Sequence, residues 1–207
     1  MIQLKNIEKI YKQSNNKPLV IFKGASFDMR GKKSISIMGR SGSGKSTLLN
    51  IIAGLDLDYT GEFIYNNIQL AKNEFTMSDF RLQNIGIITQ NHRLLNDRNV
   101  FHNIAFPLKC RKWDKKAIRS RVDQILETLD IYDKKQSYPN QLSGGECQRV
   151  AIGRAIASEP EILLADEPTG SLDEESERDI FQVLSELKYN GQIMIIATHN
   201  RTVSDFC

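Results

Sequence analysis

The sequence predicts an α/β fold, a mainly parallel sheet interleaved with helices and interrupted by a helical lobe. Three observations point there. Short apolar runs such as Ser34–Met38, Ile85–Thr89 and Gln192–Ala197 read as buried strands, with stretches of helical period between them. A glycine-rich turn, Gly39–Gly44, joins the first of these runs to an apolar helix. From Val100 to Ala157 the strand signal gives way to a helical period, which places an insertion inside the sheet.

In chain order, Ile2–Ile7 and Leu19–Met29 are β-rich, and Ser34–Met38 is a buried strand. Lys45–Ala53 is the helix after the glycine turn. Glu62–Tyr65 and Ile85–Thr89 are further strands. In the lobe, roughly residues 91–158, Ile118, Val122, Ile125, Leu126 and Leu129 recur at helical spacing, and Val150–Ala157 forms an apolar helix. The α/β pattern resumes with a strand at Glu161–Ala165, a helix at Glu174–Lys188 and the strand Gln192–Ala197. The whole, residues 1–207, reads as one domain with the lobe inserted in it.

A chain of 207 residues can bury a substantial core. Its 40% hydrophobic and 26% charged residues are those of an ordinary globular protein. No window approaches the run of about 20 apolar residues that a membrane span needs. The opening Met1–Lys5 lacks the pattern of a signal peptide, so any membrane function is expected to rely on other chains. A net charge of +3 does not point to nucleic acid. The basic cluster Lys109, Arg111, Lys112, Lys115, Lys116, Arg119 and Arg121 reads as a solvated helix face. Cys110, Cys147 and Cys207 have no metal-ligand spacing, and their odd number argues against a disulfide framework. A reducing cytosol is expected.

Gly39–Ser46 follows the pattern Gly-x-x-x-x-Gly-Lys-Ser between a strand and a helix. Gly39, Gly42 and Gly44 let the backbone turn several N–H groups around one anion, toward which the helix directs its positive end. Lys45 supplies a full charge for the β- and γ-phosphates, and the Ser46 hydroxyl suits Mg²⁺. An ordinary glycine turn would leave the Lys-Ser pair unexplained. A second acidic site follows the apolar strand Ile162–Ala165. Asp166 is suited to hold Mg²⁺ through its water shell, and Glu167 to orient and deprotonate an attacking water.

Leu142–Glu146 is the most informative stretch. Ser143-x-x-Glu146 is a capping box, which accounts for both polar residues. It does not account for Gly144 and Gly145, each of which costs up to about 1 kcal/mol in a helix. Two bare residues at a helix start suit a ligand that touches the backbone, and the natural ligand is a second phosphate.

Gly39–Thr47, Leu142–Glu146 with Gln148-Arg149, Ile162–Glu167 and Ser171-Leu172-Asp173 occur in this order. Together they resemble the ABC-transporter ATPase family over essentially the whole chain. The resemblance implies a P-loop nucleotidase of ABC type with an N-terminal antiparallel β subdomain. It implies ATP and Mg²⁺ as ligands and a head-to-tail homodimer around two ATP. It also implies a transmembrane permease partner and a peripheral place on the cytoplasmic face of the membrane. Ser41, Gly42, Gly44 and Thr47 belong to the phosphate loop with Gly39, Lys45 and Ser46. Ser143 and Gly145 would contact the γ-phosphate across the dimer. The family match makes Gln90 the Q-loop glutamine near Mg²⁺, His199 the switch histidine, Tyr11 the adenine-stacking aromatic and Asp173 the bridge between sites. His92 and His102 have no such match and read as structural.

Leu164–Asp173 and Asn99–Leu108 resemble one branch in particular, that of macrolide-efflux, lipoprotein-release and bacteriocin- or peptide-export ATPases. Within it the lactococcin 972-type exporters are most similar. Export of a peptide, bacteriocin or drug-like substrate is the resulting expectation, with lipoprotein release or cell-envelope signalling as the alternative. Three departures stand out. Cys147 replaces the common glutamine and is expected beside the ATP interface. Asn200 follows His199 where aspartate is common. Cys207 falls within the helix expected after the switch histidine: either the sequence is shortened there or the final edge is trimmed, and a weaker sheet edge with intact catalytic groups is expected. DNA-repair relatives insert a long coiled coil, often with a Cys-x-x-Cys hook, between the phosphate loop and Leu142; this chain has neither heptads nor hook there.

Overall fold

The computed structural model describes residues 2–12, 17–31, 34–189 and 192–200. Two four-stranded sheets organise them. The first is antiparallel, in the order β2-β1-β4-β5, from β1 (Ile2–Lys12), β2 (Pro18–Asp28), β4 (Thr60–Tyr65) and β5 (Ile68–Gln69). The second is wholly parallel, in the order β3-β8-β7-β6, from β3 (Ser34–Met38), β6 (Ile85–Thr89), β7 (Ile162–Asp166) and β8 (Ile193–Thr198). Six helices accompany them: α1 (Lys45–Ile52), α2 (Glu74–Asn84), α3 (Val100–Cys110), α4 (Lys115–Thr128), α5 (Gly144–Ile156) and α6 (Glu174–Tyr189).

The central strands β7 and β8 are near-continuous apolar runs because both of their faces are covered. β3, expected to be buried, instead lies at the sheet edge with Ser34 and Ser36 between its isoleucines and is only half-buried. Period-two alternation divides β7 and β8 between two cores. Leu163 and Ala165 of β7, with Met194 and Ile196 of β8, pack among the helices of the lobe. Ile162 and Leu164, with Ile195 and Ala197, pack against α1 and the antiparallel sheet. Where α5 crosses β6 the backbones nearly touch, and a Cβ on Gly86 would fall on the Ala155 carbonyl. Only glycine allows that approach.

Register fixes where the chemistry can sit. Met38 pairs with Thr198, Ala197 with Asp166, and Asp166 with Thr89. The carboxyl ends of all four parallel strands therefore lie along one edge, and the loops leaving them are the ones with chemical motifs. Ligands bind at such an edge in open α/β sheets.

Several expected elements shift. β1 runs to Lys12 instead of Ile7, because bulges between Leu4 and Ile10 break its alternation while pairing continues. α2 has no counterpart in the sequence reading. Only Met77 and Phe80 face inward from it, too few apolar positions for a visible period, while Phe75 stays exposed. α5 starts at Gly144, directly after the Ser143 cap and continuous with the apolar helix expected over Val150–Ala157, so both glycines of the Leu142–Glu146 signature lie in its first turn, where the capping box places them. The helix expected around Cys207 lies outside the described residues.

Candidate functional site

The loop after β3 turns through Gly42 and Gly44, whose φ angles of 80° and 94° are left-handed. Gly44 is the N-cap of α1, and no side chain caps that helix start. Its first N–H groups and its positive dipole end are thus available to an anion. Gly44 also packs under β2: a Cβ there would lie 2.7 Å from Ile21 Cγ2. Lys45, the first residue of α1, curls back to donate to the Gly39 carbonyl at 2.9 Å.

A cavity of about 770 Å³ opens over this helix start and is lined by Tyr11, Ser41, Gly42, Gly44, Lys45, Ser46, Thr47, Gln90, Asp166, Glu167 and His199. Residues far apart in the chain, singled out for a nucleotide triphosphate, converge on one wall. Gly39 lies at the base of the loop, in contact with Lys45.

Asp166 ends β7 in extended backbone, and Glu167 turns into left-handed space at φ 47°. That change of handedness aims the two neighbouring carboxylates apart, at a cost of about 1–2 kcal/mol for a side chain with a Cβ. Cross-strand bonding holds the turn, with Glu167 N donating to Ala197 O at 2.8 Å. Glu167 Oε2 lies 2.8 Å from His199 Nδ1, and Oε1 lies 3.5 Å from Lys45 Nζ. Asp166 Oδ1 is buried without a hydrogen-bond partner. A carboxylate oxygen in that position suits a cation or its water shell.

Tyr11 is anchored where β1 reaches the cavity. Its hydroxyl donates to Asp56 Oδ2 at 2.9 Å, and the buried Lys9 ammonium sits 4.5 Å from its ring centroid. Lys9 itself pairs with Asp56 at 2.8 Å, which raises its pKa against the opposing effect of burial. Gln90 lines a second, smaller cavity together with Ser46 and Asp166, so it touches both sides of the acidic wall.

Ser143, Gly145 and Asp173 do not line the phosphate cavity. Ser143 N-caps α5: its Oγ accepts from Glu146 N at 3.2 Å, and Ser143 N donates to Glu146 Oε2 at 2.7 Å. Those bonds, chiefly that from Ser143 N, hold the Glu146 carboxyl below its ordinary range. Asp173 caps α6, accepting from Ser176 N at 2.9 Å and from Ser176 Oγ at 3.0 Å, which lowers its pKa likewise. The two exposed helix starts adjoin, since a Cβ on Gly145 would lie 3.0 Å from Ser176 Oγ.

The positioning roles of several residues escaped the sequence reading. Arg154 donates to Arg93 O at 2.7 Å and His92 O at 2.8 Å, fixing the loop after Gln90. On an amphipathic helix such an arginine reads as solvent-facing. Buried Gln148 donates to Pro168 O at 2.6 Å and braces the turn after Glu167. Ser171 Oγ donates to Gln90 O at 3.0 Å. The Cys147 thiol contacts Pro139 O at 3.6 Å, and burial raises its pKa. His92 is kept below its ordinary pKa by burial.

The model of the ABC transporter family matches residues 22–170. The methionine import ATP-binding protein MetN of Helicobacter pylori is 38% identical over 209 residues, covering 100% of this chain and 63% of that protein. The chain thus spans under two thirds of that relative's length. The lipoprotein-releasing system ATP-binding protein LolD of Buchnera aphidicola is 37% identical over 206 residues, covering 98% of this chain and 90% of that protein. The dimeric structure of MJ0796, a bacterial ABC transporter cassette, superposes with a TM-score of 0.89 at 36% identity, covering 100% of this chain and 91% of that one. A post-hydrolysis state of MJ0796 bound to ADP and Pi gives 0.89 at 35% identity, with the same coverage of both chains. With this cassette fold, an α/β P-loop core beside an antiparallel sheet, the chain belongs to the ABC transporter family as one of its ATPase cassettes.

Proposed function

We propose that the chain hydrolyses ATP as half of a head-to-tail dimer that encloses two ATP and drives a transmembrane permease from the cytoplasmic face of the membrane. One observation carries this reading. The phosphate cavity is furnished by β1, the phosphate loop and the ends of β6, β7 and β8, whereas the signature helix start at Ser143 faces solvent elsewhere. A second copy would bring its own Ser143 and Gly145 to the γ-phosphate.

Lys45 would exchange its bond to Gly39 O for the β- and γ-phosphates, while Tyr11 presents its ring to the adenine. Ser46, Gln90 and Asp166 would hold Mg²⁺, for which the unpartnered Asp166 Oδ1 is the fitting group. When bound, Mg²⁺ neutralises charge on the transferring phosphoryl group. Glu167 accepts the proton of the attacking water, a contribution of about 10²–10⁴ in rate. His199, held by Glu167, reaches the γ-phosphate, and Asp173 at the dimer seam links the two sites.

Glu167→Gln is expected to give an ATP-dependent dimer in size-exclusion chromatography with turnover cut by about 10²-fold or more. A chain that stays monomeric with ATP at high concentration sinks the proposal. For the substrate, Leu164–Asp173 and Asn99–Leu108 support export of a peptide, bacteriocin or drug-like molecule by a lactococcin 972-like system. The similarity to LolD favours lipoprotein release as the second reading. Co-purification with the permease, followed by stimulation of ATPase activity by each substrate class, separates the two.

A further inference from the structure

The basic cluster from Lys109 to Arg121 takes no part in the phosphate cavity, and the fold divides it. Arg111 donates to the Ser158 carbonyl and, at 3.0 Å, to Gln83 Oε1. Arg121 donates to Ala157 O at 3.2 Å and Ile156 O at 3.3 Å. Both arginines tie the lobe to the end of α5. Lys109, Lys115 and Arg119 instead line a separate cavity of about 490 Å³ between the end of α3, the start of α4 and residues 135–136. None of these three forms an ion pair among the described residues.

The walls of that cavity are specific. Lys135 is a fourth cation there, with its charge shared between Asp123 and the Phe101 ring. Among the described residues no carboxylate lines the cavity. Asn99 is buried and fixed, donating to Gln136 Oε1 at 2.9 Å while its Oδ1 accepts from His102 N. Phe101 and Ile118 supply apolar surface. His102 lies below its ordinary pKa, first through burial and then through the positive charges of Lys109 and Arg98.

Three cations without an ion-pair partner among the described residues, beside a fourth that Asp123 offsets, raise the local potential and attract a counter-charge. A volume within the range of about 300–1,000 Å³, with an apolar wall and a few fixed polar groups, is that of a small-molecule site and not of a groove for an extended chain. We propose that this cavity binds a small polyanion, a molecule with two or more phosphate or carboxylate groups and a flat or apolar part against Phe101. Phe101 N and Val100 N donate to Lys135 O and Ser137 O, so the occupant would brace the segment that leads to Leu142.

The test is calorimetric titration of pyrophosphate and of citrate, without Mg²⁺ and at low ionic strength. The samples are the wild-type chain, Lys45→Ala, and Lys45→Ala carrying Lys115→Gln and Arg119→Gln. Anion binding lost with Lys45→Ala belongs to the phosphate loop, so the two sites succeed or fail separately. The expected result is that Lys45→Ala still binds one of the anions, and that the added substitutions weaken it by about tenfold or more, the scale of losing charge-assisted contacts. Far-UV circular dichroism checks that the exposed substitutions leave the fold intact. Preference for pyrophosphate or for citrate identifies the acidic group. Failure of Lys45→Ala to bind either anion, or no change on substituting Lys115 and Arg119, overturns the proposal. A glutamate-rich peptide that binds through the same cations more tightly than both anions overturns it in favour of a protein partner.

Discussion

At the scale of the residue, the site depends on backbone handedness at two positions. Glu167 adopts a left-handed conformation that a side chain resists, and by it diverges from Asp166. Gly44 adopts one that only glycine holds cheaply, with Ile21 directly behind it. Gly44→Ala should therefore lose about 1–2 kcal/mol from backbone strain, more from the clash with Ile21, and most of its nucleotide affinity. Thermal unfolding and titration with a fluorescent ATP analogue read the two effects separately. Unchanged values in both would mean the loop is looser than its packing indicates. Tyr11→Ala should weaken nucleotide binding, while Tyr11→Phe keeps the ring and loses only the bond to Asp56; equal losses from both in the same titration would point to anchoring of the strand and not to stacking.

At the scale of the element, the start of α5 is closed by a charged capping box. The Glu146 carboxyl is held below its usual range near 4.5, so its contribution is present above that range and lost as pH falls through the lower folded value. Glu146→Ala should cost about 1 kcal/mol at neutral pH, the usual worth of a cap. The difference in urea midpoint between wild type and variant should shrink on acidification. A gap that stays constant from pH 7 to about pH 3 would remove the charge from the account. Gly86→Ala should destabilise by about 1–3 kcal/mol or more in the same urea assay, because β6 and α5 leave no room for a methyl group. The elements that carry motifs were legible because apolar runs on a doubly covered sheet leave a plain trace, as β7 and β8 do. α2 was hidden because two buried residues make no period, and the full reach of β1 because bulges erase alternation. The phosphate wall could be read from residue types at fixed spacing. The grips of Arg154 and Gln148 could not, since a carbonyl acceptor has no letter in the sequence.

At the scale of the whole molecule, the phosphate cavity and the signature helix start are set apart. A chain with Lys45→Ala lacks a working cradle but keeps its signature, and a chain with Ser143→Arg has the reverse. Each alone should be nearly inactive. Mixed, they should recover a fraction of wild-type ATPase activity, because one of the two sites in the mixed dimer has both halves intact. No recovery, with dimerisation confirmed, would argue that each chain works by itself. The capping box has one more consequence, for the speed of that encounter. Ser143 Oγ already accepts the Glu146 N–H and its backbone is already fixed, so the hydroxyl hydrogen is free to point outward before any partner arrives. Docking then meets a finished surface, with little ordering left to slow it. Stopped-flow association with ATP should stay proportional to protein concentration, without the plateau that a slow rearrangement would impose.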